Sequence, residues 1–194
     1  MLTITRLTPT RHAQFAALLT AVFALPAAAG AQLRDPVEIT ASRVVKANAL
    51  SDKAASMYST PAKYKYAATL HVRAASLRAP GDPRGYEDLN MAGHLYYAAG
   101  AIWNAREAME RAAEHAVARG DVVAAAKSYV DAGYLAIEER RTDRVPALAL
   151  KAELLARSPL ITDEQRASIM NRVGYSQVVA MLPRTTAPRS TTPR

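Results

Sequence analysis

The side chains able to do acid–base or metal chemistry are few and scattered. Beyond residue 31 the histidines are His71, His94 and His115. Imidazole titrates near neutral pH and ligates metals, but a site needs partners at set spacings. Glu114 and His115 are adjacent, so on a helix they point about a hundred degrees apart. No HExxH and no Glu-x-x-His pair occurs, so neither a zincin nor a di-iron bundle site is encoded in the usual way. No serine sits in GxSxG or SxxK. There is no cysteine, which removes thiolate nucleophiles, cysteine-ligated metals and disulfides. Glu107, Glu110 and Glu114 form an i, i+3, i+7 stripe. Such carboxylates can do acid–base work or bind cations, yet Arg106 and Arg111 interleave with them, and a charged helix face is the simpler reading. No catalytic residue, metal ligand or cofactor is expected. The alternative is a small helical-bundle enzyme or metal-binding protein using His94 or His115 with nearby glutamates.

The N-terminal residues predict the compartment. Arg6 and Arg11 precede an apolar run from Phe15 to Leu25, too short to span a bilayer in comfort, and Ala29-Gly30-Ala31 has the small-x-small form of a cleavage site. Residues 1–31 read as a signal peptide cleaved between Ala31 and Gln32. The mature protein is then periplasmic or secreted, without an integral span; the alternative is an uncleaved N-terminal anchor. Loss of Arg6 and Arg11 lowers the formal charge from +8 to +6. That charge is uneven: residues 32–78 carry +5, residues 79–182 carry −2 and the tail from Pro183 carries +3. Basic flanks can meet anionic surfaces. Export and the lack of aromatic–basic interleaving argue against nucleic acid.

Helical elements dominate the rest. Residues 32–59 read as an extended or partly disordered lead-in, with a short helix from Ser51 to Ser59. Thr60-Pro61 starts a helix to about Arg78. The run Ala79-Pro80-Gly81-Asp82-Pro83-Arg84-Gly85 reads as a hinge loop. Helices follow over about 86–99, 101–119, 121–140 and 142–157, divided by Gly100, Gly120 and a short break. Thr162 with Gln165 forms a capping box for a fifth helix ending near Gly174. A last apolar turn precedes a disordered basic tail, 183–194. No segment alternates with period two, so no sheet is expected. Both phenylalanines fall within residues 1–31, so the core must rest on Ala, Leu, Val, Met and Tyr, with Trp103.

A repeat emerges from this layout. Ala92-Gly93-His94-Leu95-Tyr96 recurs forty residues later as Ala132-Gly133-Tyr134-Leu135-Ala136. Leu89, Ala92, Gly93, Tyr96, Gly100, Ala105 and Ala112 fall at the spacing of a tetratricopeptide repeat: a small pair, an aromatic, a turn glycine, then alanines. A second register, through Ala113, Ala116, Gly120-Asp121, Ala125, Tyr129 and Ala132, fits the same scheme and overlaps the first. Residues 86–158 therefore resemble the tetratricopeptide-like helical-hairpin family, though the forty-residue spacing exceeds that family's thirty-four. The resemblance implies an all-α fold of antiparallel hairpins stacked as a short solenoid over residues 60–182; a compact helical bundle is the alternative. It also implies a peptide- or protein-binding groove on the first helix of each hairpin. In the first register that groove displays Glu87, Asn90, His94, Tyr97, Lys127 and Tyr134; in the second, Glu107, Glu110 and Glu114. The expected function is an exported, non-enzymatic interaction module with a protein or peptide partner in the cell envelope. Self-association is a further expectation, because two hairpins leave exposed ends. Binding to envelope surfaces through the basic arms is the third alternative.

Overall fold

A computed structural model describes residues 41–182. The signal peptide expected at 1–31 and the tail at 183–194 lie outside the described residues. Among the described residues seven α-helices follow one another: α1 (Ala41–Ala55), α2 (Tyr64–Ala75), α3 (Pro83–Ala98), α4 (Ile102–Ala118), α5 (Val122–Glu138), α6 (Val145–Ala156) and α7 (Asp163–Met181). Short 3-10 turns, Pro61–Lys63 and Thr142–Arg144, lead into α2 and α6. Among the described residues there is no strand, and no helix is long and apolar enough to cross a membrane. Each helix packs on its chain neighbours, and α5 also packs on α7.

Local chemistry explains the boundaries. Asp82 caps α3 by accepting from the Arg84 N–H (2.9 Å), with Pro83 in the first turn. Asp121 caps α5 through the Ala124 N–H (2.9 Å). Thr162 and Gln165 form the reciprocal capping box of α7 (3.2 and 3.0 Å). The turns after α3, α4 and α5 share one geometry. Gly100, Gly120 and Arg140 have φ of 72°, 78° and 66°. The next N–H in each case returns to a carbonyl of the preceding helix: Ala101 to Tyr96 (2.8 Å), Asp121 to Ala116 (2.9 Å), Arg141 to Ala136 (2.8 Å). This left-handed cap satisfies carbonyls the helix end would otherwise strand. Arg140 adopts it despite its Cβ, because the tightly packed neighbours α5 and α6 dictate the reversal.

Alanine sets the packing. Among the described residues, nineteen of the thirty-two buried apolar ones are alanine, so backbones must approach closely for their atoms to touch. Gly93 carries this furthest: a Cβ there would lie 2.6 Å from the Met109 Cε. Gly133, its counterpart in the second copy, would meet nothing within 4 Å.

Several expectations need correction. Residues 41–55, read as mostly extended lead-in, form α1, because Ala47 and Ala54 bury completely with Leu50 between them. The expected hinge loop is partly helix: Pro83 begins α3, and Gly85 is buried where a Cβ would strike the His115 ring at 2.8 Å. Helix α7 continues through Gly174 to Met181, and its last turns leave Tyr175, Val178 and Met181 exposed. Trp103 is half exposed (50 %). It sits in the first turn of α4 and is not part of the buried core.

Candidate functional site

Two polar regions stand apart from the alanine interior. The first is a buried cluster where α1, α2 and α3 meet. At its centre is Asp88, 5 % exposed, carried inward on α3 beside Leu89. Ser51 Oγ donates to its Oδ1 (2.7 Å), and Arg78 Nε donates to its Oδ2 (2.8 Å). His71 Nδ1 lies 2.8 Å from Oδ1. A carboxylate has no proton to give, so Nδ1 carries the proton and donates. The Tyr58 hydroxyl closes the chain on His71 Nε2. The remaining guanidinium nitrogens of Arg78 reach Asn48 Oδ1 (3.1 Å) and Ser51 Oγ (3.3 Å). Arg84 also donates to Asn48 Oδ1 (3.1 Å).

The electrostatics follow from these contacts. Burial pushes the Asp88 carboxyl up, but hydrogen bonds from His71, Arg78 and Ser51, with the Arg78 charge, outweigh it and hold the group below its ordinary range. Burial, then the Asp88 charge, pushes the Tyr58 phenol up, so it stays protonated at neutral pH. An open cleft of about 410 Å³ adjoins the cluster, lined by Asn48, Ser51, Asp52, Arg78, Arg84, Glu87 and Asp88. Both nitrogens of His71 and both oxygens of Asp88 are engaged within the protein. What the arrangement does is fasten α1 onto α2 and α3.

The second region is a concave groove of about 300 Å³ on α3, α5 and α7. Gly93, His94 and Tyr97 come from α3; Asp131, Tyr134, Leu135 and Glu138 from α5; Arg172 from α7; and Met109 from α4. Met109 and Leu135 are buried and make its apolar base. The Tyr97 hydroxyl donates to Glu138 Oε1 (3.2 Å), and the Glu138 charge and that bond push the phenol up. Arg172 pairs with Asp131, and its guanidinium carbon lies 5.3 Å from the Tyr134 ring centre. The Tyr134 hydroxyl in turn donates to the Arg172 carbonyl (3.2 Å).

The residues singled out from sequence are thus distributed. His94, Tyr97 and Tyr134 meet in the groove. Glu87 is exposed and lines the cleft beside the cluster instead. Asn90 is half-buried and lines neither region, and Lys127 is exposed on α5 outside the groove. Glu107 and Glu114 are exposed on α4, but Glu110 turns to Arg106, which is 2 % exposed and also donates to Glu139 (2.6 Å). The acidic stripe is therefore interrupted by a clamp between α4 and the end of α5. His94 is exposed. His115 is half-buried against Gly85, with no partner for its Nδ1. Among the described residues no three His, Asp or Glu side chains are grouped to hold a metal ion. Exposed basic residues Lys46, Lys53, Lys63, Lys65 and Arg73 lie on α1, α2 and the join between them.

Sequence reasoning missed Asp131, Glu138 and Arg172 in the groove, and the whole Asp88 cluster. Asp131, Tyr134 and Glu138 sit at i, i+3 and i+7, a spacing that marks a shared helix face. His71 and Asp88 interrupt helix faces otherwise filled mostly by alanine and leucine, which is the signal of buried polarity. No known protein family matches this chain, and no curated protein and no solved structure matches it either.

Proposed function

We propose that this is a non-enzymatic interaction protein of the cell envelope, a short tetratricopeptide-like stack that recognises an extended segment of a partner. In this reading α3 and α4 form one hairpin, α5 and α6 a second, and α7 supplies the first helix of an unfinished third. Support comes from the three like turns at Gly100, Gly120 and Arg140 and from the packing of α5 on α7, which brings alternate helices together. One observation carries the functional step. Side chains from α3, α5 and α7 converge on a single open groove whose base is apolar and whose walls are aromatic and charged. Ligand clefts combine an apolar lining with a few placed polar groups. The competing polar region spends its hydrogen-bonding capacity internally.

Site-specific photocrosslinking tests this in cells. A benzophenone side chain at Tyr97 should give a discrete, saturable adduct with one envelope protein. The same probe at Tyr66, exposed on α2 (51 %) and outside the groove, should not. Equal labelling from both positions, or none from Tyr97, would refute the assignment.

A further inference from the structure

We propose that the groove takes a basic side chain of the partner segment, its cation lying over the Tyr97 ring and pairing with Glu138. This rests on the groove being the recognition surface and specifies the chemistry it selects. The protein holds its own cations in this way already: Arg119 lies 4.8 Å from the Tyr86 ring centre and pairs with Asp121, and a second case borders the groove. The Arg172 guanidinium sits 5.3 Å from the Tyr134 ring centre and pairs with Asp131, bridging α5 and α7. Tyr97 of α3 and Glu138 of α5 again set a tyrosine beside a carboxylate, here joined directly by the 3.2 Å bond from the phenol. Glu138 is exposed and has no basic partner among the described residues. Tyr97 keeps 48 % of its surface open.

Charge and shape then select the occupant. A cation over a tyrosine face gains from the ring quadrupole, and a neighbouring carboxylate adds a charge-assisted hydrogen bond. Met109 and Leu135 offer apolar surface to the methylene stem of arginine or lysine. An acidic side chain would meet Glu138 and Asp131. An apolar one would cover Glu138 without pairing it, which is costly. A volume of about 300 Å³ is at the small end for ligand clefts, fitting one long side chain with its adjoining backbone.

Two peptides test this: acetyl-Ala-Thr-Ala-Arg-Ala-Thr-Ala-amide and its citrulline counterpart, which keeps the shape of arginine without the charge. Binding to the full-length, isotope-labelled protein is followed by amide chemical shifts. The arginine peptide should shift the amides of His94, Tyr97 and Glu138 and bind about tenfold more tightly than the citrulline peptide, a difference of about 1.4 kcal/mol. Glu138→Gln should erase that preference, and Tyr97→Leu should reduce it about threefold, with melting temperatures unchanged. Added salt should weaken the arginine peptide alone. Equal affinities at the groove overturn the basic-side-chain proposal while leaving the groove as a recognition surface. Shifts confined to other faces overturn both. Failure of the arginine peptide to bind at millimolar concentration overturns the proposal as well. Arg184, Arg189 and Arg194 carry the same chemistry within the chain, so full-length protein with Arg184→Ser, Arg189→Ser and Arg194→Ser is the control. Its affinity should be unchanged; a tenfold gain would make the chain's own C-terminal segment the occupant and overturn the assignment to a partner.

Discussion

The cluster around Asp88 and the groove around Glu138 use the same side-chain types, a carboxylate, a tyrosine and arginine, to different ends. Asp88 is buried and receives three hydrogen bonds from three separate segments. Glu138 is exposed and receives one. In the first region polarity is consumed in holding helices together; in the second it stays available. The difference lies in burial. A desolvated carboxylate must be fully paired or its cost falls on folding, whereas a solvated one can wait for a ligand at little cost.

The largest expected effect comes from removing the buried member. Asp88→Ala removes the charge partner of Arg78, 6 % exposed, and the acceptor of His71 Nδ1. Loss of one partner from a buried charge pair costs about 3–5 kcal/mol. Chemical denaturation should therefore show a much lower midpoint, and a change under 1 kcal/mol would mean the cluster does not fasten α1.

Acid should separate that cluster from His115, which lies against Gly85. Burial, then Arg111, lowers the His115 imidazole pKa against a weaker opposing pull from Asp82. The unfolded chain then binds the proton first, so stability present above about pH 6.5 is lost as pH falls below it. Asp88 is also depressed, and its contribution is lost further down, as pH falls below about 4. Each step has a slope of at most about 1.4 kcal/mol per pH unit. Urea midpoints measured across pH should show both losses, and His115→Leu should abolish only the earlier one.

The two copies of the small-residue pair give a finer contrast. Gly93→Ala drives a methyl against Met109 at the base of the groove, and overpacking of this kind costs about 1–3 kcal/mol. The flexible Met109 side chain should keep it near the lower figure. Gly133→Ala meets open space and should stabilise by about 0.5–1 kcal/mol, since glycine within a helix is less favourable than alanine. Paired thermal melts settle the signs; equal effects would mean the two glycines play equivalent packing roles.

Glu138→Gln marks the small end of the scale. Surface changes away from special features usually stay within about 0.5 kcal/mol, so this variant should melt like the parent while losing the preference for an arginine peptide. A large drop in stability would show Glu138 to be structural, as Asp88 is.

Much of the element order could be read along the chain because its signals are local. Asp121, Thr162 with Gln165, and the turns at Gly100 and Gly120 act within a few residues. Helix α1 was harder to read because Ala47 and Ala54 resemble any alanines until α2 covers them. The extension of α7 beyond Gly174 was missed for a related reason: a single glycine costs about 1 kcal/mol in a helix, and flanking residues can carry the helix through it.

The groove shows the same division at the level of single residues. His94 and Tyr97 share a face of α3 at any helical geometry. Only packing placed Tyr134, Asp131 and Glu138 opposite them and brought Arg172 across from α7. The repeated Ala-Gly pair looked equivalent in both copies, yet one glycine lies against Met109 and the other against nothing.

By itself, the amino-acid order determined the glycine turns and caps between helices, the lack of strands among the described residues, and an interior built largely of alanine. Caps, turn residues and side-chain size act over short stretches of chain. Only the tertiary structure decided which carboxylates would be enclosed and which left open. That choice depends on helices far apart in sequence meeting or failing to meet, and desolvation has no local signature. Asp88 and Glu138 are both carboxylates on helices; what separates them is whether Ser51, His71 and Arg78 arrive from elsewhere in the chain to close the space.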